Sequence, residues 1–290
     1  MHGLQAILTF LAAATLAAGA DFSGQSALEY TRRVVAFGAR TPGSPGMHRQ
    51  QTYLRAELAK RGCQVWDDTF TASTPLDPIR MTNIIARFTG RSGQAIVFTG
   101  HYDTKVMPGI NFVGANDGGA STGFLLEMAR VLAGQSRQHD VYLVWFDGEE
   151  AIAQWSETDG VYGSKHLAAR WNADGTLGRI KALINVDMIG DRDLGILREG
   201  YSSPGLRARV WSAARRRGYG SHFLNEGSLV EDDHAAFVRL GVNALNLIDF
   251  DYGPSNSYWH TEKDTIDKLS ADSFQVVGTV LLDVLHELEQ

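Results

Sequence analysis

Cysteine is nearly absent: Cys63 is the only one in 290 residues. No disulfide can close within the chain, and any bound metal must rest on histidine and carboxylate. Positive charge is not in excess, since 27 Lys and Arg against 33 Asp and Glu leave a formal net charge of −6. That balance argues against general nucleic-acid binding. The one basic run, residues 215–217, falls in an amphipathic helical pattern and reads as a solvated face. There is no Pro/Ser-rich linker, low-complexity tract or internal repeat, so one domain is the simplest reading. Past the first twenty residues no segment looks long and apolar enough to span a membrane.

Those first twenty residues lack Lys, Arg, Asp and Glu. Residues 4–18 are a short apolar run, and Ala18-Gly19-Ala20 has the small-x-small form of a signal-peptidase site. Residues 1–20 are expected to be a secretory signal, leaving 21–290 as a secreted or periplasmic catalytic chain. An uncleaved membrane anchor is the alternative.

What is present is an ordinary globular composition, 44% hydrophobic and 21% charged, enough to bury a large core. Apolar β-rich runs at 83–88, 95–100, 141–146, 182–186 and 244–248 alternate with helical patterns. The helices are expected at 52–60, 121–132, 206–217 and 273–288. This alternation predicts an α/β layered domain.

Chemistry-bearing residues follow the strands. "HYDT" (101–104) follows the second, "DGEE" (147–150) the third, and Asp187 the fourth. Ligands of open α/β sheets bind outside the carboxyl ends of the strands, so these groups should converge. An isolated pair such as Glu149 and Glu150 reads as a solvated turn, a lone histidine as a core residue, and Asp117 alone as a helix N-cap. Together His101, Asp117, Glu150, Asp187 and His260 read as a metal cluster, and imidazole with carboxylate suits zinc. Glu149, beside a ligand but not one itself, is then placed for general acid–base work.

"GHYDT", "GANDGGAS", "FDGEEA", "NVDMIG" and "WHT", in that order, resemble the M28 family of zinc-dependent peptidases over roughly residues 39–270. Within it, "RTPGSPG", "EEAIAQWSETDGVYGSKHLA", "EDDHAAFVRLGV" and "SYWHTEKDTIDKL" are similar to glutaminyl cyclases, the glutaminyl-peptide cyclotransferases. The resemblance implies a single-domain, three-layer α/β sandwich, its central sheet mixed, mostly parallel and flanked by helices, as in zinc aminopeptidases. It implies one zinc ion held by Asp117, Glu150 and His260, with Glu149 as proton shuttle and Asp187 and Asp232 as a hydrogen-bonding acid pair near it. Trp155 and Trp259 would line the pocket for a substrate's N-terminal glutamine, with Lys105 and Glu231 at the rim. The implied reaction closes that glutamine to pyroglutamate on peptides or proteins and releases ammonia. An aminopeptidase using a metal-activated water is the rival, and a silent binding protein on the same scaffold a more distant one. His101 and Asp187 could hold a second metal alongside Asp117, so the metal count stays open.

The pattern departs from the family in places. Secreted animal cyclases carry a disulfide where Gly100 and Thr122 stand here. A histidine usual in the strand after "EDDH" is Asn246, and the loop before Trp259 is longer than in animal members.

Overall fold

The apolar runs become strands, and alternation along each one feeds two separate cores. The structure is a computed structural model and describes residues 21–290; the expected secretory signal lies outside the described residues. The strands are β1 (Gln64–Ala72), β2 (Ile79–Phe88), β3 (Ala95–His101), β4 (Asp140–Phe146), β5 (Ile180–Asp187), β6 (Ile196–Glu199), β7 (Phe223–Ser228) and β8 (Ala244–Ile248). Six of them form one sheet in the order β1-β2-β4-β3-β5-β8, and β6 and β7 form a small parallel pair. β3 lies parallel to both β4 and β5, and β5 parallel to β8, while β2 runs antiparallel to its two neighbours. The sheet is therefore mixed and mostly parallel, as expected.

The helices are α1 (Gly24–Val35), α2 (Pro45–Leu58), α3 (Gly119–Leu132), α4 (Tyr162–Ala173), α5 (Pro204–Arg216), α6 (His234–Val238) and α7 (Ala271–Leu288). Ile84, Ala86 and Phe88 of β2 point into a core shared with α1, α2, α3, α5 and α7. Ile85, between them, points into a second core with Leu167 and Trp171 of α4 and Phe237 of α6. Successive side chains on a strand face opposite ways, so one run serves both layers. Every residue of β3 and β4 is buried, as parallel strands covered on both faces must be.

Several elements were not anticipated from sequence: β1, α1, α4, α6 and the β6–β7 pair. β1 is an edge strand with half-exposed polar positions, so it has no continuous apolar run to announce it. α2 starts at Pro45 rather than at 52 because Ser44 caps it, its Oγ accepting the Met47 N–H at 3.1 Å. Proline at the first helical position costs no hydrogen bond, since that N–H has no partner inside the helix.

β3 is the pivot of the topology. The chain passes from β3 to β4 on one side, then crosses to β5 on the other. Such a reversal opens a crevice at the carboxyl end of the central strand. At Gly100 a Cβ would lie 2.6 Å from the Ser121 Cβ and 2.7 Å from the Val186 carbonyl oxygen. α3 thus approaches β3 as closely as glycine permits, and the space for a side chain there is closed.

Candidate metal centre and active site

The crevice gathers the residues that the motifs scattered along the chain. His101 ends β3 and Asp187 ends β5, while Glu149 and Glu150 occupy the turn after β4. Asp117 precedes α3, where Gly118 takes the left-handed conformation at φ 75° and no side chain caps the helix. A Cβ on Gly118 would meet the Asp103 carbonyl oxygen at 2.3 Å, so the turn needs glycine twice over. Because Asp117 does not cap α3, its carboxylate is free to face His101 (Oδ1 to Nε2, 3.1 Å) and His260 (Oδ2 to Nε2, 3.2 Å).

His260 itself sits at φ 53°, a conformation that costs a non-glycine residue about 1–3 kcal/mol and persists where surrounding structure enforces it. Its Nε2 lies 2.9 Å from Glu150 Oε1, and its ring stacks on Trp259 with centroids 4.0 Å apart. Two donor groups result: Asp117, Glu150 and His260, and His101, Asp117 and Asp187, each with ligand atoms within 4.8 Å of one another. Asp117 belongs to both.

Negative charge dominates. Burial, with Asp117 beside it, raises the Glu150 carboxyl above its ordinary range. Burial works the other way on His260, yet Asp117 and Glu150 overcome it and hold the imidazole up at about 9. Asp117 is pulled below its usual range by His101 and His260 in spite of its burial. Burial lifts Asp187 to about 7. Glu149 is pushed well above the carboxylate range by burial, then by Glu150, Asp232 and Asp233, with His101 opposing. Asp117 Oδ2 is buried and accepts no hydrogen bond. An orphaned carboxylate oxygen beside a second carboxylate and an imidazole fits a divalent metal ion, which would neutralise both acids.

A cavity of about 640 Å³ opens above this floor, lined also by Glu149, Asp187, Asp232, Trp155, Trp259 and Phe250. Lys105 reaches it too, its Nζ 3.5 Å from Glu150 Oε2. Glu231 lines it while paired with Arg239. The expected hydrogen bond between Asp187 and Asp232 is not formed among the described residues, because each is taken by another partner. Asp187 is bound to His101 at 3.1 Å, and Asp232 accepts the Asn246 side-chain N–H at 2.7 Å. Behind Asn246 runs a one-way buried chain, Thr99 hydroxyl to Asn185 (2.7 Å) and Asn185 to Asn246 (3.1 Å). Asn246 turns its amide oxygen to Asn185 and its NH2 group to Asp232, so towards Asp232 it is the donor.

Residues 83–285 match peptidase family M28. The chain belongs to that family. Glutaminyl-peptide cyclotransferase of Drosophila melanogaster is 31% identical over 249 residues, 73% of this chain and 68% of the fly protein. The crystal structure of a glutaminyl cyclase from an Acidobacteriales bacterium superposes with a TM-score of 0.91 at 40% identity, covering 97% of this chain and 99% of that one. A leucine aminopeptidase precursor from Bacteroides thetaiotaomicron superposes at 0.84 with 26% identity, over 93% of this chain and 98% of its own.

Sequence reasoning missed the residues that hold this M28 site in shape. Asp103 accepts the backbone N–H groups of both Glu149 (3.1 Å) and Glu150 (3.3 Å). Asp264 does the same for Asn116 (2.8 Å) and Asp117 (3.2 Å), and takes the Tyr252 hydroxyl at 2.8 Å. Asp159 gathers the N–H groups of Ile152, Ala153 and Gln154 at 2.7–2.9 Å, fixing the loop that carries Trp155. The buried Arg40 guanidinium donates to the carbonyls of Val113 (2.6 Å) and Gly114 (2.9 Å), beneath the Asp117 turn. Asp103, Asp264, Asp159 and Arg40 all lie inside the motifs quoted above, which is the only signal they give.

Proposed function

We propose that the chain is a zinc-dependent glutaminyl-peptide cyclotransferase, acting on peptides or proteins that begin with glutamine. The observation that carries this reading is the 40% identity with a glutaminyl cyclase across nearly the whole chain. The fold alone does not separate cyclase from aminopeptidase, because a leucine aminopeptidase precursor superposes almost as well.

Asp117, Glu150 and His260 would hold the zinc ion, which supplies Lewis-acid polarisation of a carbonyl when bound. Glu149 has no ion pair or hydrogen bond to its carboxyl group among the described residues and opens on the cavity, where it takes a proton from the substrate's α-amino group. The amine nitrogen attacks the γ-carbonyl carbon, closing a five-membered lactam. The bond to the side-chain nitrogen breaks, and Glu149 returns the proton to the leaving ammonia. The nucleophile is tethered to its target, so holding the folded-back conformer is much of the work. Trp155 and Trp259 wall that conformer and keep water out. Water would otherwise hydrolyse the amide to glutamate.

No helix among the described residues is long and apolar enough to cross a membrane. Export through the apolar segment 1–20 completes the reading. Mass spectrometry of a Gln-Ala-led peptide after incubation tests it: the expected product is lighter by one ammonia with its peptide bonds intact. Release of free leucine from a Leu-led peptide, with the Gln-led peptide unchanged, would leave the aminopeptidase standing instead.

A further inference from the structure

The arginines around α5 are of two kinds. Arg209 and Arg216 reach Glu287, and Arg217 reaches Asp283 at 2.6 Å. Arg198 of β6 and Arg207 of α5 meet no carboxylate side chain among the described residues, although acids outnumber bases in the chain. Neutral groups hold them instead. Arg198 lies two residues along β6 from Ile196, which faces the core, so it leaves the strand on that same side. Its Nη2 donates to the Asn225 side-chain oxygen at 2.9 Å, and its guanidinium lies 5.9 Å from the centre of the Trp211 ring. Arg207 donates to the Glu199 carbonyl. A guanidinium offers five N–H donors, so most of theirs are left over. The Arg198 Nε is buried without a partner, and so is the Ser228 hydroxyl.

Both arginines line one open pocket of about 570 Å³ with Asn225 and Ser228, and no acidic side chain lines it. The Ser228–Leu229 segment borders this pocket on one side and the metal cavity on the other. Two further pockets adjoin the metal cavity, and charge distinguishes the three. The one reached past Asp251 is lined by Asp191, Asp193 and Asp267 as well, which would repel an acid. In the one reached past Trp155 the cations are engaged: Arg239 binds Glu231, and Lys165 donates to the carbonyls of Glu157 and Gly160. Unpaired positive charge meets a peptide only on the path over Ser228 and Leu229. Arginine there suits a carboxylate, whose two oxygens match the spacing of its donors.

We propose that Arg198 and Arg207 form an anion site for a carboxylate side chain of the peptide substrate, at the third residue or beyond. The site lies outside the metal cavity and adds a preference for acidic sequence downstream. The inference rests on the cyclotransferase reading, because that sets the peptide's first residue on the metal floor.

The test uses hexapeptide amides that begin Gln-Ala and carry one Glu, Gln or Lys at the third, fourth, fifth or sixth position, with Ala elsewhere. At one or more of these positions wild type should prefer Glu to Gln by about threefold to tenfold in kcat/KM, the scale of one or two partly exposed ion pairs. High salt should shrink the preference. Arg198→Gln and Arg207→Gln should each lower it, and Arg207→Glu should reverse it in favour of Lys. The readout is a ratio between peptides on one protein, so a general loss of activity cannot imitate it. Calorimetric binding of the same peptides to metal-loaded Glu149→Gln separates the two readings. Tighter binding of a Glu peptide, removed when either arginine is also replaced, supports the anion site even if wild type converts no Gln-led peptide, in which case only the cyclotransferase reading fails. Equal kcat/KM and equal binding for Glu and Gln at every position, or a preference that all three arginine substitutions leave unchanged, would overturn the site while cyclisation stands. Inorganic phosphate that altered turnover of the all-Ala peptide through these arginines, with no preference among the peptides, would assign the pocket to a free anion and overturn it too.

Discussion

Glu149 and Glu150 are adjacent carboxylates whose surroundings could hardly differ more. Glu150 faces His260 at 2.9 Å and Lys105 at 3.5 Å, groups able to neutralise it. Glu149 has no such partner, and burial drives its carboxyl towards the protonated form. Burial raises both carboxyls, but only Glu150 has cationic partners, so under the proposed function Glu150 would hold the cation and Glu149 would carry the proton. Glu149→Gln should retain the metal and lose turnover by about 10²-fold or more, the usual scale for removing an acid–base group. Glu150→Gln should instead lower metal content. Metal analysis alongside kcat separates the two, and normal values for both variants would mean that neither carboxylate serves the site.

At the level of elements, the site depends on short segments clasped by buried side chains. Glu199, at the end of β6, joins Tyr201, Ser202 and the first residue of α6, His234. The loop between β7 and α6 carries Leu229, Glu231 and Asp232, so this carboxylate anchors one wall of the cavity. Burial alone would raise its pKa, but His234, the Tyr201 N–H and Ser202 outweigh it and bring Glu199 from the ordinary 4.5 down to about 2. A depressed folded-state pKa stabilises the fold above the unfolded value, and that stabilisation is lost as pH falls through the folded value. In chelator-treated protein, where metal loss cannot contribute, the melting temperature should fall between about pH 4.5 and 2. Glu199→Gln should start less stable and show a shallower fall over that window. Parallel curves for the two proteins would remove Glu199 from this role.

For the whole molecule, the cost of the site is electrostatic. Asp103, Asp117, Glu149, Glu150, Asp187, Asp232 and Asp233 are all buried at one end of the sheet, against Arg40, His101 and His260. Buried acids in such excess repel one another, and a bound cation relieves that repulsion in the native state alone. At free metal about 100 times the dissociation constant, the gain is about 2.7 kcal/mol. For a chain of this size that corresponds to roughly 5 °C in melting temperature. Chelation should lower the melting temperature by about that amount and abolish turnover, and zinc should restore both. Metal-free protein that melts and works as before would reject the metal centre.

The sequence by itself determined the order of the main strands and the α/β layering, because continuous apolar runs and strand-end acids are local patterns. It also offered five candidate ligands, His101, Asp117, Glu150, Asp187 and His260, because they follow strands or stand in motifs; the narrower set of Asp117, Glu150 and His260 came only with the family resemblance. It did not reveal β1, whose polar edge pattern is stabilised by pairing with β2, or the true start of α2, which a serine cap decides. Nor did it reveal the work of Asp103, Asp264 and Arg40. The hydrogen bonds that tie them to the site run to backbone groups 46 to 148 residues away, and no local pattern encodes such partners. Only the tertiary structure brought Phe250 and Trp155 to one cavity, because the strand crossing at β3 sets which loops meet.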